Sequence, residues 1–223
     1  MQTLNPKGGR RLWLQWVLAS ILGFAVGGAL GNTVANWIPP MTCTQSSSDS
    51  LVDRLTNFAC ILPSLDLAFI VIILGMAGGF MQWLVLRRQI PRAEWWVLAS
   101  TLGFALAPIA AIAGVMAISQ IISLEENLLM APILLGVLFG VLSAIMPWLV
   151  LRRQLPRAGW WVPAQTLGSL VGGAMAIVAF HSVSLIGFYE FVWAAGGAMF
   201  GAGLGSITGI ALVWLLNKSI SEG

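Results

Sequence analysis

A chain of 223 residues that is 58% hydrophobic and 9% charged, with a mean hydropathy of +0.90, does not have the composition of a soluble domain, which carries roughly 25% charged residues. Apolar surface on this scale needs a bilayer as its solvent. The net charge of +3 and pI near 9.4 do not mark a nucleic-acid binder, because the chain has no basic amphipathic helix and no arginine–aromatic groove.

The first apolar segment, 12–38, follows Lys7, Arg10 and Arg11. That start has the look of a signal-peptide n-region. The apolar run is too long for a cleaved signal, however, and it belongs to the repeat described below. A loop over 39–64 follows, rich in Ser and Thr and holding both cysteines, Cys43 and Cys60. The second span, 65–86, ends in Trp83-Leu84-Val85-Leu86-Arg87-Arg88. The third, 95–118, contains Pro108, which should kink it. The fourth is 128–151, the fifth 160–180 and the sixth 188–216. A membrane helix needs about 20 largely apolar residues, and each segment supplies them. In lipid the backbone must satisfy itself within each segment, and continuous apolar runs exclude the alternating pattern of a barrel. The spacers are too short for a soluble domain. The expectation is one transmembrane domain over 1–223, an all-α polytopic membrane helix bundle of six transmembrane helices.

Positive charge marks the cytoplasmic side. With the N-terminus inside and the spans alternating, ten of the eleven basic residues fall inside and Arg54 alone falls outside. The acids Asp49, Asp53, Asp66, Glu125, Glu126 and Glu190 fall outside or at the outer interface. Both termini are therefore expected in the cytoplasm, in a cell inner membrane or thylakoid membrane. Cys43 and Cys60 then share one external loop, where an oxidising compartment favours a disulfide over two free thiols. Two sulfurs without histidine neighbours do not make a metal site.

The chain repeats itself. Residues 81–107, MQWLVLRRQIPRAEWWVLASTLGFALA, and 146–172, MPWLVLRRQLPRAGWWVPAQTLGSLVG, are identical at two-thirds of positions at a constant offset of 65. Such an internal repeat constrains architecture before any single residue does. Trp16-Val17-Leu18-Ala19-Ser20 in the first span repeats Trp96-Val97-Leu98-Ala99-Ser100 in the third and Trp161-Val162-Pro163-Ala164-Gln165 in the fifth. The sixth span ends Val213-Trp214-Leu215-Leu216-Asn217-Lys218, read as a degenerate copy of the Trp-Leu-Val-Leu-Arg-Arg ending. Each unit is an even span followed by an odd one, so the third unit is split between the termini. This predicts a pseudo-threefold ring of helical hairpins, with spans one and six as neighbours.

Glycines four apart lie on one helix face and admit a close neighbour. Gly197, Gly201, Gly205 and Gly209 form one such glycine zipper, and Gly23, Gly27 and Gly31 another; ring closure predicts that the two ladders meet. Trp83, Trp95, Trp96, Trp148, Trp160 and Trp161 flank the basic turns, where indoles sit at headgroup level. Arg87, Arg88, Arg92, Arg152, Arg153 and Arg157 beside them are candidate contacts for lipid headgroups, although orientation by charge alone also accounts for them.

Nothing catalytic is visible. Intramembrane acids, which mark pumps and many membrane enzymes, are missing from the predicted span centres. There is no nucleophile elbow, phosphate loop or zinc-protease motif. His181, the single histidine, ends the fifth span; hydration at a loop edge is its expected state, with ligation of a pigment or haem, or a pairing with Glu190, as the alternatives. No cofactor is implied. Gln82, Ser100, Thr101, Gln165, Thr166, Ser206 and Thr208 are expected to hydrogen-bond between helices.

At Gln82-Trp83-Leu84-Val85-Leu86-Arg87-Arg88 and Ala93-Glu94-Trp95-Trp96-Val97 the chain resembles a group of uncharacterised bacterial, largely cyanobacterial, multispan membrane proteins with repeated QWLVLRR and AGWWV signatures. The second copy departs from that pattern at Pro147, in place of Gln, and the first at Glu94, in place of Gly. The resemblance implies a plasma or thylakoid membrane setting and no chemistry. The functional expectation is a non-enzymatic accessory or scaffold protein that contacts membrane lipids and associates with other membrane complexes or with itself. The alternatives are a small-solute transporter or channel, and a pigment- or haem-binding protein. A continuous polar path would favour transport; a dry, filled axis would favour the scaffold.

Overall fold

The computed structural model describes residues 6–37, 65–90, 93–119, 130–188 and 191–221. Cys43, Cys60 and Arg92 lie outside the described residues, and with them the expected disulfide. Among the described residues six helices follow one another: α1 (Pro6–Ala35), α2 (Leu65–Leu86), α3 (Trp95–Ser119), α4 (Met130–Leu151), α5 (Trp161–Leu185) and α6 (Val192–Ser221), with a 3-10 turn at Ala158–Trp160. All six are long and apolar enough to cross a membrane. The fold is thus an all-α, multi-pass membrane bundle. Some helices outrun the apolar segments: α1 starts at Pro6 and α5 continues through His181 to Leu185. Hydropathy marks the part in hydrocarbon, whereas the helical hydrogen-bond ladder continues into the interface. Pro108 lies inside α3, which runs on past it.

Each helix packs against its neighbours in chain order, and α1 packs against α6. The ring therefore closes between the spans farthest apart in sequence. The start of α1 meets the end of α6, where Trp13 Nε1 donates to the Ser206 carbonyl (3.0 Å). Outward faces carry large apolar side chains every fourth residue, as at Leu14, Leu18, Leu22, Val26 and Leu30, the stripe a lipid-facing helix presents. The two basic turns open alike. Gln89 and Ile90 both donate to the Leu86 carbonyl (2.8 and 3.0 Å), and Gln154 and Leu155 both donate to the Leu151 carbonyl (2.9 and 2.8 Å). Ile90, Ala93, Leu155 and Ala158 fold inward and are buried. The end of the bundle that carries these turns is called the basic end below.

The glycine ladders pack, but not against each other. A Cβ at Gly23, Gly27 or Gly31 would come within 2.8–2.9 Å of Gly78 Cα, Leu74 Cα or Ile70 Cα, all on α2. The α6 ladder instead receives α1: Phe24 O at Gly197, Ser20 O at Gly201, Ser20 Cβ at Gly205 and Trp13 Cδ1 at Gly209. The expected meeting of two ladders is corrected here. A face of glycines admits the backbone of a neighbouring helix, and each ladder here admits the next helix in the ring. The same sense runs round the ring. Gly75 and Gly79 receive α3, and Gly168 and Gly172 receive α6.

Contacts also reset the register of the third repeat. Gly79 meets Ser100 Cβ as Gly205 meets Ser20 Cβ, each at 2.7 Å. Gly201, Gly205, Thr208, Leu212 and Leu216 therefore stand where α2 has Gly75, Gly79, Gln82, Leu86 and Ile90. Trp214 falls at the position of Arg88 and Arg153, not of Trp83 and Trp148. Matching tryptophan to tryptophan misread the alignment, because buried small residues carry the register and exposed indoles do not.

Candidate functional site

The Trp-Trp pairs that open α3 and α5 divide their roles. Adjacent helical residues point about 100° apart, so one ring faces lipid and the next the bundle. Trp95 and Trp160 are 58% and 62% exposed, whereas Trp96 and Trp161 are 1% exposed and Trp16 is fully buried. The expectation that placed Trp96 and Trp161 in the headgroup belt is corrected. With Trp16 they form a triangle of edge-on indoles inside the ring, with centroids 5.8 Å (Trp16–Trp96), 6.1 Å (Trp16–Trp161) and 5.2 Å (Trp96–Trp161) apart. Three equivalent positions that meet in space locate the pseudo-threefold axis. The signal was in the sequence: Trp16 shares the Trp-Val-x-Ala register of the other two and has no paired indole beside it.

Each indole nitrogen looks for a partner on the even helix of its own hairpin. Trp96 Nε1 donates to Gln82 Oε1 (3.1 Å) and Trp16 Nε1 donates to Thr208 Oγ1 (3.0 Å). Gln82 Nε2 then donates to Ser20 Oγ (3.1 Å), which ties α2 to α1. Thr208 Oγ1 donates onward to the Leu204 carbonyl (2.7 Å). The third copy has Pro147 in place of Gln82 or Thr208, and Trp161 Nε1 is buried without a partner. Restoring the pattern should repair this. Pro147→Gln is expected to stabilise the bundle by about 1 kcal/mol, the size of one interhelical hydrogen bond in a membrane; thermal unfolding in mild detergent reads it, and an unchanged midpoint would refute the equivalence of Pro147 and Gln82.

Away from the basic end, Phe24, Phe104 and Phe200 fill the interior, with Phe24–Phe104 at 5.4 Å and Phe24–Phe200 at 5.2 Å. The repeat places Ser169 where Phe24 and Phe104 stand, and its buried Oγ also lacks a partner. Phe200 supplies the third ring from α6. A cavity of about 180 Å³ beside it is lined by Leu74, Phe139, Phe180 and Trp193 among others. It offers apolar walls and no charge.

Of the other polar candidates, Thr101, Thr166 and Ser206 donate to carbonyls four residues back on their own helices. Ser100 and Gln165 are buried. The guanidinium of Arg87 lies 5.1 Å from the Trp83 ring centre, and that of Arg152 lies 5.0 Å from Trp148. A cation over an indole face is attracted by the ring quadrupole, so one arginine of each pair is held down on its own helix. Arg88 and Arg153 are exposed. Arg157 has φ 60° at the start of the 3-10 turn, a left-handed conformation that the Pro-Arg turn imposes on a non-glycine residue. His181 is exposed on α5, and Glu190 lies outside the described residues. Among the described residues no three His, Cys, Asp or Glu side chains gather as a metal site. The structure brings together the three tryptophans, Gln82, Ser20 and Thr208. It leaves His181 and the described arginines of the two turns, Arg87, Arg88, Arg152, Arg153 and Arg157, on the outside. No family model matches this chain, and neither curated proteins nor solved structures give a match.

Proposed function

We propose that this chain is a non-catalytic membrane accessory or scaffold protein, with its basic end in the cytoplasm, that associates with other membrane complexes. One observation carries the reading. The bundle axis is closed by the Trp16–Trp96–Trp161 triangle and, beyond it, by the Phe24–Phe104–Phe200 layer. A solute path would need a continuous wet route, and these rings leave an apolar plug. The hydrogen bonds behind them tie helix to helix. Large apolar side chains on the outer faces offer lipid or a partner span an extensive surface. The orientation rests on the sequence, in which ten of the eleven basic residues fall on one side of the alternating spans.

Capture from native membranes in mild detergent should bring down a defined membrane protein complex, and reconstituted vesicles should show no solute flux above empty ones. Flux that Gln82→Leu alters would replace this reading with transport, and colour in the purified protein would replace it with pigment or haem binding. Reporter tags at residue 1, within 89–93 and at residue 223 should read cytoplasmic, and one near residue 47 external; a cytoplasmic reading at 47 would reverse the orientation.

A further inference from the structure

Three seams join the hairpins: α1–α2, α3–α4 and α5–α6. They are equivalent in the repeat and differ at the basic end. At the α5–α6 seam Trp214 stands against Trp160, with ring centres 6.2 Å apart, and closes the surface. The equivalent residues at the α3–α4 seam are Arg153 and Trp95. An arginine there supplies no second ring, and a groove of about 540 Å³ remains, walled by Leu98, Leu102, Met146 and Leu149 with Trp95 and Arg153 at its mouth. Arg153 is exposed, and none of the contacts among the described residues engages its guanidinium. The α1–α2 seam has Arg88 at the arginine position but Gln15 where Trp95 stands.

We propose that the α3–α4 groove binds one anionic phospholipid of the surrounding bilayer, its phosphate on Arg153 and the upper part of an acyl chain between Leu98, Leu102, Met146 and Leu149. The dimensions fit a chain. From Trp95 to Leu102 the groove runs about 10 Å along α3 at 1.5 Å per residue, within a leaflet whose hydrocarbon is about 15 Å deep. A partner transmembrane helix would need a seam along the full span, about 30 Å. The charge also fits. Arg87, Arg88 and Arg152 stand at the same end as Arg153. Glu94, exposed just before Trp95, is the one acid in the two hairpin turns, so this end of the bundle is net positive. Trp95 lies at the level where indoles meet headgroups. The arginine pairs thus divide: Arg152 covers Trp148, and Arg153 takes the ligand.

Native mass spectrometry of the full chain, released from nanodiscs of phosphatidylglycerol, phosphatidylethanolamine or phosphatidylcholine, tests this. One phosphatidylglycerol should be retained, with little of the other two. Arg153→Gln should lower its occupancy about fivefold, the worth of one basic residue near a membrane surface. Arg153→Trp should abolish retention by rebuilding the closure seen at the α5–α6 seam. Should that variant fold poorly, Leu98→Phe fills the same groove from the other wall and should also expel the lipid. Arg88→Gln should leave retention unchanged. Equal retention of the three lipids, or equal loss with Arg88→Gln, would reduce the site to general attraction at a basic surface and overturn it. A change in oligomer mass rather than in bound lipid on Arg153→Trp would assign the groove to a second copy and overturn it as well.

Discussion

Gly201→Leu should break the ring at its closing seam, with a loss of about 3 kcal/mol or more, at or beyond the upper end of ordinary overpacking. A Cβ at Gly201 would already lie 2.5 Å from Ser20 O and 3.0 Å from Ile21 Cα. These are backbone atoms of α1 and cannot swing aside as a side-chain tip could. Relief requires α1 and α6 to separate, which exposes the Trp16–Thr208 hydrogen bond. Helix association in a membrane rests on close packing rather than on escape from water, so the lost approach has no hydrophobic compensation. The control is Gly173→Leu on α5, where nothing lies within 4 Å of a Cβ; it should stay within about 0.5 kcal/mol of the parent, as surface substitutions do. Denaturation by sodium dodecyl sulfate from a mild-detergent state measures both. Equal loss at the two positions would mean that leucine disturbs any span, and would remove the seam from the explanation.

Trp96→Ala should cost about 3–5 kcal/mol, the range for deleting a large buried aromatic. The lower half of that range is expected, because lipid rather than water surrounds the unfolded helices and the transfer part of the loss shrinks. Trp96 loses its edge contacts with Trp16 and Trp161 and leaves Gln82 Oε1 without its donor. The neighbouring substitution Trp95→Ala should cost under about 1 kcal/mol, since that ring is more than half exposed. Trp161→Ala falls between. Its ring is equally buried, but its nitrogen has no partner to strand, so the loss should be smaller than at Trp96 by about 1 kcal/mol. The same unfolding titration ranks the three. If Trp95→Ala proved as damaging as Trp96→Ala, the division of each pair into an outer and an inner ring would fail.

Sequence periodicity was a good guide to the hairpins and a poor guide to their faces. The two Arg-Arg turns were legible because identical residues build identical hydrogen bonds at Leu86 and Leu151. The sequence leaves Trp96 and Trp161 open because an indole close after a basic turn has two places to go, the headgroup level and the bundle interior. Only the neighbour across the ring decides between them. Gln82 was legible as an interhelical donor, but its partners were not: Trp96 lies across the turn and Ser20 on another hairpin. The α3–α4 groove was not legible beyond the arginines at its end, since its walls come from two different hairpins.

What the sequence determined alone is what depends on composition and local spacing: six spans, helical because lipid offers no backbone partner, grouped into hairpins by a repeat whose phase demands that the first and last spans meet. What the tertiary structure decided is which face of each helix meets which neighbour. Glycine ladders receive a ridge from the next helix rather than from each other, the tryptophans turn inward to mark the axis, and Trp214 takes the place of an arginine rather than of a tryptophan. The physical reason is that a membrane helix is apolar all round. Burial against protein and burial against lipid look the same in hydropathy, and only close approach, shape and the few interior hydrogen bonds tell them apart.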